Sequence, residues 1–175
     1  SQDVGEVNGE SISAQDFQAL VEEYTEVVKF SSGLNALSDE QTTQIKDEVW
    51  RAYVNNKLIE NEAEKLGLTV SKAELQAIID AGVHPMLQQT PFRNPQTGAF
   101  DKDMLKKFLV DYSKMNKAQM PAQYAEYYNS MYNFWSFVEK SLIQARLQEK
   151  YQALITKSLF SNPVEAEDAF NARVD

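Results

Sequence analysis

Along most of this chain apolar positions recur at three- and four-residue spacing, the period of a helix with one buried face. The start is different. Val4 and Val7 precede Asn8-Gly9 and Ile12 follows it, which predicts two short strands and a tight hairpin, since Asn-Gly readily takes the positive φ of a two-residue turn. Ser13-Ala-Gln-Asp16 then opens a helix, with a hydroxyl to cap it and an acid in its first turn, running to about Ser31 and stopping near Gly33.

Ser38-Asp-Glu-Gln41 is a capping box, and no Gly or Pro follows it until Gly67. Ile45, Val49, Ala52, Ile59, Ala63 and Leu66 lie along one face, widened by Trp50, Tyr53, Val54 and Leu58. That predicts a helix of about seven turns packed on more than one side. Gly67 supplies a left-handed stop, and Ser71-Lys-Ala-Glu74 restarts a short helix to about Ala81. Residues 82–99 hold Gly82, Pro85, Pro91, Pro95 and Gly98 and read as an irregular loop. Asp101 caps a further helix to about Ser113, expected to bury Phe100, Met104, Leu105, Phe108 and Leu109. Between Pro121 and Pro163 nothing breaks a helix. A rod of roughly 40 residues and ~60 Å is too long for a compact globule of this size, so the molecule should be elongated, kinked there, or paired with another chain. Asn162-Pro163-Val-Glu165 starts a last helix that meets Asp175 with no stop signal.

Composition narrows the function classes. The chain has 175 residues with 26 acids against 17 bases, a net charge of -9, one histidine and no cysteine. Nucleic-acid binding is disfavoured, because a polyanion is held by clustered Lys and Arg. Disulfide frameworks, Cys/His zinc sites and thiol catalysis are excluded. The charge is uneven. Residues 1–35 carry seven acids and only Lys29, whereas Lys102, Lys106, Lys107, Lys114 and Lys117 crowd one stretch. These lysines read as a solvated face, or else as a patch meeting the acidic first helix.

Candidate chemistry is sparse. Glu60 and Glu64, like Glu22 and Glu26, are four apart on helix faces expected to be solvated, with no apolar pocket to raise a carboxyl pKa. His84 precedes Pro85 without a nearby acid, and the Asn94–Asp101 run has the outline of a calcium loop but lacks its acidic ligands and terminal Glu. No catalytic residue, metal site or cofactor is assigned. One concentration stands out: of 19 aromatics, seven fall in residues 124–138, namely Tyr124, Tyr127, Tyr128, Tyr132, Phe134, Trp135 and Phe137, with Met131 among them. At roughly 100° per residue Tyr124, Tyr128, Met131, Trp135, Val138 and Leu142 form one stripe, flanked by Tyr127 and Phe134. Such a stripe reads as core. Tyr132 and Phe137 lie outside it and require either a second packed neighbour or a partner. Met115 and Met120 just before this helix add flexible apolar side chains.

The order of these signals resembles a known family. Val7-Asn8-Gly9-Glu-Ser-Ile12-Ser13 and Leu58-Ile59-Glu-Asn-Glu-Ala63-Glu-Lys-Leu66-Gly67-Leu68-Thr-Val70-Ser71-Lys-Ala-Glu74 are similar to the SurA N-terminal-like domain of periplasmic folding factors. Pro91-Phe92 and Gly98-Ala-Phe100-Asp101, with Leu105 and Leu109, resemble the membrane-anchored PpiD type, and Pro163-Val-Glu-Ala-Glu167-Asp-Ala-Phe170 resembles the linker toward a parvulin isomerase domain. The resemblance implies one elongated, mainly α chaperone domain over residues 1–175, with a short N-terminal β-hairpin, an inserted loop and helix at 83–120, and a linker from 163. It also implies a periplasmic parent anchored in the inner membrane, with a prolyl isomerase domain outside this chain, and unfolded or nascent envelope polypeptides as partners. The expected client surface is Met115, Met120, Tyr124, Tyr127, Tyr128, Met131, Tyr132, Trp135 and Phe137. A helical dimerisation arm, giving a homodimer without client binding, is the alternative.

Overall fold

The computed structural model describes residues 2–7 and 10–160. Within them the architecture is mainly α: five α-helices and one two-stranded antiparallel hairpin, as the hydrophobic period predicts. Strands β1 (Asp3–Val7) and β2 (Glu10–Ser13) pair with Gly5 opposite Ile12. The expected Asn8-Gly9 turn, like the helix expected from Asn162-Pro163, lies outside the described residues.

Each helix boundary has an identifiable cause. Ser13 caps α1 (Ala14–Ser32), its Oγ accepting from the Asp16 N–H at 3.1 Å, and Gly33 at φ 68° ends it. Helix α2 (Asp39–Lys65) begins on a reciprocal Ser38/Gln41 capping box. It ends where the Leu68 N–H reaches back to the Ala63 carbonyl at 2.9 Å. Helix α3 (Lys72–Ala81) repeats the capping box with Ser71 and Glu74. The proline-bearing stretch that follows forms one 3-10 turn at Leu87–Gln89 and a bridge between Arg93 and Phe100. In place of a calcium loop, Asn94 closes the turn on itself, its Oδ1 accepting from the Gln96 N–H at 2.8 Å. The stretch is pinned rather than trailing, because Leu87 and Phe92 are both buried in the core. Asp101 caps α4 (Lys102–Ser113), and α5 (Ala122–Phe160) runs unbroken for 39 residues, about 58 Å.

Two apolar clusters hold these helices together. Val21, Ile45 and Val49 join α1 to the first half of α2. Val27, Ile79, Leu87, Phe92, Leu105, Phe134, Trp135, Val138 and Leu142 gather α1, α3, α4 and the intervening loop onto the middle of α5. Several expectations are corrected here. Met104 is exposed, since it lies about 100° around α4 from the buried Leu105 and α5 covers only that side. Ala52 is exposed too, and Leu66 falls on the cap beyond the last turn of α2, where it is exposed. The lysine row, by contrast, is the solvated face expected of it rather than a patch meeting α1: all five lysines are exposed, and it is Lys140 of α5 that pairs with Glu23 of α1 at 2.7 Å.

The hairpin is fitted to α2 through a missing side chain. Gly5 lies against the Trp50 indole, and a Cβ there would overlap the ring. Trp50 is held from its other neighbours by Phe17, 5.9 Å away edge-on, and by stacking on Tyr53 at 5.8 Å. Gly5→Ala should therefore lower stability by about 1–3 kcal/mol through overpacking, and Trp50→Leu in the same chain should recover part of it. Urea unfolding monitored by circular dichroism checks both.

The opposite end of the molecule is joined by charge. Lys150 of α5 donates to the Thr69 carbonyl at 2.6 Å and to Glu74 at 2.9 Å, and Arg146 reaches the same carboxylate at 3.4 Å. The Lys150 hydrogen bond, the Ser71 N–H and the Arg146 guanidinium hold the Glu74 carboxyl below its ordinary pKa against a smaller opposing effect of burial. A carboxyl lowered on folding stabilises above its unfolded pKa, and that contribution is lost as pH falls through the lowered value. Glu74→Gln should thus be less stable than the parent chain at pH 7, with the gap closing as pH drops below the carboxylate range. Thermal unfolding of both proteins across pH 2.5–7 tests this.

Candidate functional site

The stripe on α5 is graded by burial along its length. Leu142, Val138 and Trp135 are 1%, 7% and 3% exposed, Met131 and Tyr128 are half-buried, and Tyr124 is 54% exposed. The same apolar face therefore continues past the core and emerges uncovered. The reason is length: α1 stops at Gly33, with Phe30 as its last ring against α5, while α5 continues for further turns toward Ala122. Phe30 contacts Phe134 at 5.3 Å and Tyr127 at 6.1 Å, yet Tyr127 remains 52% exposed. Leu34, just past the end of α1, is exposed as well.

The two residues outside the stripe each have a packed neighbour. Phe137 lies 5.5 Å from Tyr24 of α1. Tyr132 stacks face to face on Tyr112 of α4, with centroids 4.4 Å apart and planes 5° from parallel. Tyr112 is fixed in turn: its hydroxyl donates to Asn129 Oδ1 at 2.6 Å and accepts from Lys117 Nζ at 3.1 Å. Tyr128 faces Phe108 of the same helix at 6.3 Å. Helix α4 thus supports one side of the aromatic segment and α1 the other.

The nine expected surface residues separate accordingly. Tyr124, Tyr127 and Tyr132 are exposed, and Tyr128, Met131, Phe137, Met115 and Met120 are half-buried. Trp135 belongs to the core, edge-on to Phe92 at 6.2 Å, and has almost no surface to offer a ligand. The sequence reading did not single out Tyr112, Phe30 or Leu34. Tyr112 follows Phe108 by four residues on the buried side of α4, and that spacing was the available signal.

Elsewhere the chemistry is structural. His84 accepts the Met86 N–H on Nδ1 at 3.1 Å and so shapes the loop. Burial, and then the Glu48 carboxylate that accepts its hydroxyl at 2.9 Å, push the Tyr24 pKa up. Among the described residues no group of three or more His, Asp and Glu is placed to hold a metal, and no helix is long and apolar enough to cross a membrane. Two open clefts of about 400 and about 620 Å³ lie beside α3, and neither is lined by the exposed tyrosines.

Burial predicts a clean division between scaffold and surface. Trp135→Ala should cost about 3–5 kcal/mol, whereas Tyr124→Ser and Tyr127→Ser should each change stability by less than about 0.5–1 kcal/mol. Chemical denaturation of the three variants measures it.

No curated protein and no solved structure matches the chain. A family model does: that of the SurA-like N-terminal domain matches residues 1–109, from the hairpin through α3 and the pinned loop into α4. With more than half of its length matched in the order hairpin, α1, α2, α3, the chain belongs to the SurA-like N-terminal domain family.

Proposed function

We propose that this chain is the peptide-holding module of a periplasmic folding factor, binding unfolded envelope polypeptides non-covalently on the exposed aromatic face of α5. Family membership supports the chaperone-type, non-catalytic reading and the periplasmic setting. The proposal extends to a parent of the PpiD type, anchored in the inner membrane and carrying a parvulin-type prolyl isomerase domain, on the resemblance of residues 91–109 and 163–170.

One observation carries the reading. An apolar stripe that is core at Trp135, Val138 and Leu142 continues through half-buried Met131 and Tyr128 to Tyr124, which with Tyr127 on its flank is more than half exposed. Tyrosine suits a surface of this kind. Its ring offers apolar area at low entropic cost and its hydroxyl stays solvated, so the face can hold varied segments without strict sequence choice. The flexible thioethers of Met115, Met120 and Met131 add adaptability at the border.

A dimerisation arm would use the same face. The exposed parts of Tyr124, Tyr127 and Tyr132 offer roughly 200–350 Å², well short of the ~800 Å² per partner that a stable interface buries. Weak, repeated contacts with an unfolded chain fit that area better than a permanent symmetric pair.

The chain should suppress aggregation of a urea-diluted outer-membrane protein at several-fold molar excess, and Tyr124→Ser/Tyr127→Ser should reduce suppression several-fold with unchanged circular dichroism. Equal suppression by the double variant would sink the assignment to this face. A tight dimer in sedimentation velocity that the same double variant dissolves would favour the arm.

A further inference from the structure

The aromatic face has unlike borders. On the α1 side acids outnumber bases, with Glu26 paired to Lys29 at 3.5 Å and Glu23 to Lys140 at 2.7 Å. On the α4 side bases are in excess. Between residues 101 and 117 five lysines stand against Asp101, Asp103 and Asp111. Two of those acids are engaged. Asp101 accepts the N–H groups of Asp103 and Met104 as the helix cap, and Asp111 pairs with Lys107 at 3.0 Å. Lys114 is exposed and makes no ion pair among the described residues. Lys117 Nζ meets no carboxylate either; it lies 4.9 Å from the Tyr112 ring centroid while donating to that hydroxyl. Tyr112 is the ring stacked on exposed Tyr132, so an ammonium stands one ring away from the open aromatic surface. In a chain of net charge -9 this is a local reversal of sign beside the only tyrosine cluster of α5.

We infer that the exposed aromatic face selects polypeptide segments in which an acidic residue adjoins an apolar or aromatic one, the apolar side chain resting on Tyr132 and its neighbours while the carboxylate meets Lys117. The inference rests on the holding function proposed above and adds a substrate class to it. Screening makes the local sign decisive. At physiological salt a charge is felt over about 8 Å, so a carboxylate lying on Tyr132 responds to Lys117, held on the stacked Tyr112 ring, more than to the acids spread over α1. Tyr112 keeps its place through Asn129, and Lys117 is held against it before any ligand arrives, so little ordering remains to be done on binding.

The experiment uses fluorescein-labelled peptides of one unstructured sequence with a central Tyr-Leu, flanked by Asp, Asn or Lys, read by anisotropy. In 50 mM salt the Asp peptide should bind about two- to five-fold tighter than the Asn peptide, as one exposed ion pair allows, and the Lys peptide weakest. The preference should collapse in 0.5 M salt. Lys117→Gln should bind the Asp and Asn peptides equally, whereas Lys114→Gln and Lys117→Arg should each keep most of the preference. Equal affinity for Asp and Asn peptides in the unaltered chain overturns the inference while leaving the holding function intact. Binding of none of the peptides overturns both. If Lys117→Gln retains the acidic preference, or if the lysines prove to bind anionic phosphatidylglycerol vesicles while the peptides are not discriminated, the class of partner named here is wrong.

Discussion

The structure depends on a mismatch of lengths. Helix α5 spans 39 residues, whereas α1 has 19, α3 has 10 and α4 has 12. No shorter helix can cover such a rod along its whole length, and the side chains of α5 that are fully buried all fall between Phe134 and Leu142. That central third is where α1, α3, α4 and the pinned loop converge. Either side of it the helix is held by fewer neighbours, and its composition changes to match. Toward Ala122 the stripe turns to tyrosine and methionine, which tolerate both a partner and water. Toward Phe160 the contacts become polar first, through Gln144, Arg146, Gln148 and Lys150.

The polar half explains how α2 can lie along α5 without an extended apolar seam. Gln144 donates to Glu60 at 2.7 Å and Asn55 to Gln148 at 3.4 Å, so three amides and a carboxylate stand where leucines would be expected. Gln144 Oε1 is buried without a partner among the described residues, a defect of about 1–3 kcal/mol when no water reaches it. On the neighbouring side Glu74 serves α3 twice, as the second half of its capping box and as the anion for Lys150 and Arg146. Local helix initiation and tertiary docking are thus coupled in one side chain.

Most of the fold was legible in the sequence because its punctuation is local. Ser13, Ser38, Ser71 and Asp101 cap the four helices they were expected to cap, and Gly33 and Gly67 sit at positive φ where stops were expected. What failed to read depends on which neighbour arrives. Met104 and Leu105 differ by one residue and by 100° of helix, and only the position of α5 decides that one is exposed and the other core. The role of Gly5 was silent for the same reason, since its requirement comes from Trp50, 45 residues away. Trp135 shared a stripe with Tyr124, so periodicity could place both on one face but could not say where along the helix cover ends. Tyr112 went unnoticed because its significance lies in a stack with a residue on another helix.

That limit bears on function. The family match ends at residue 109, within α4, whereas Tyr112, Lys117 and the exposed tyrosines of α5 all follow it. The matched residues supply the supports: Phe30 from α1, Phe92 from the loop and Phe108 from α4 are the rings against which the aromatic segment is set. On the proposed reading, the shared part of the family positions a helix, and the residues beyond it determine what that helix presents. Holding a segment in general then requires only that α5 outrun its cover, a property of helix lengths that many sequences could satisfy. Choosing among segments, on the same reading, requires particular side chains at the edge of that cover, and here those are a fixed tyrosine stack with Lys117 held against it on one border and an excess of acids on the other. A chain with the same helix lengths and a differently charged α4 would hold polypeptides equally well and sort them differently.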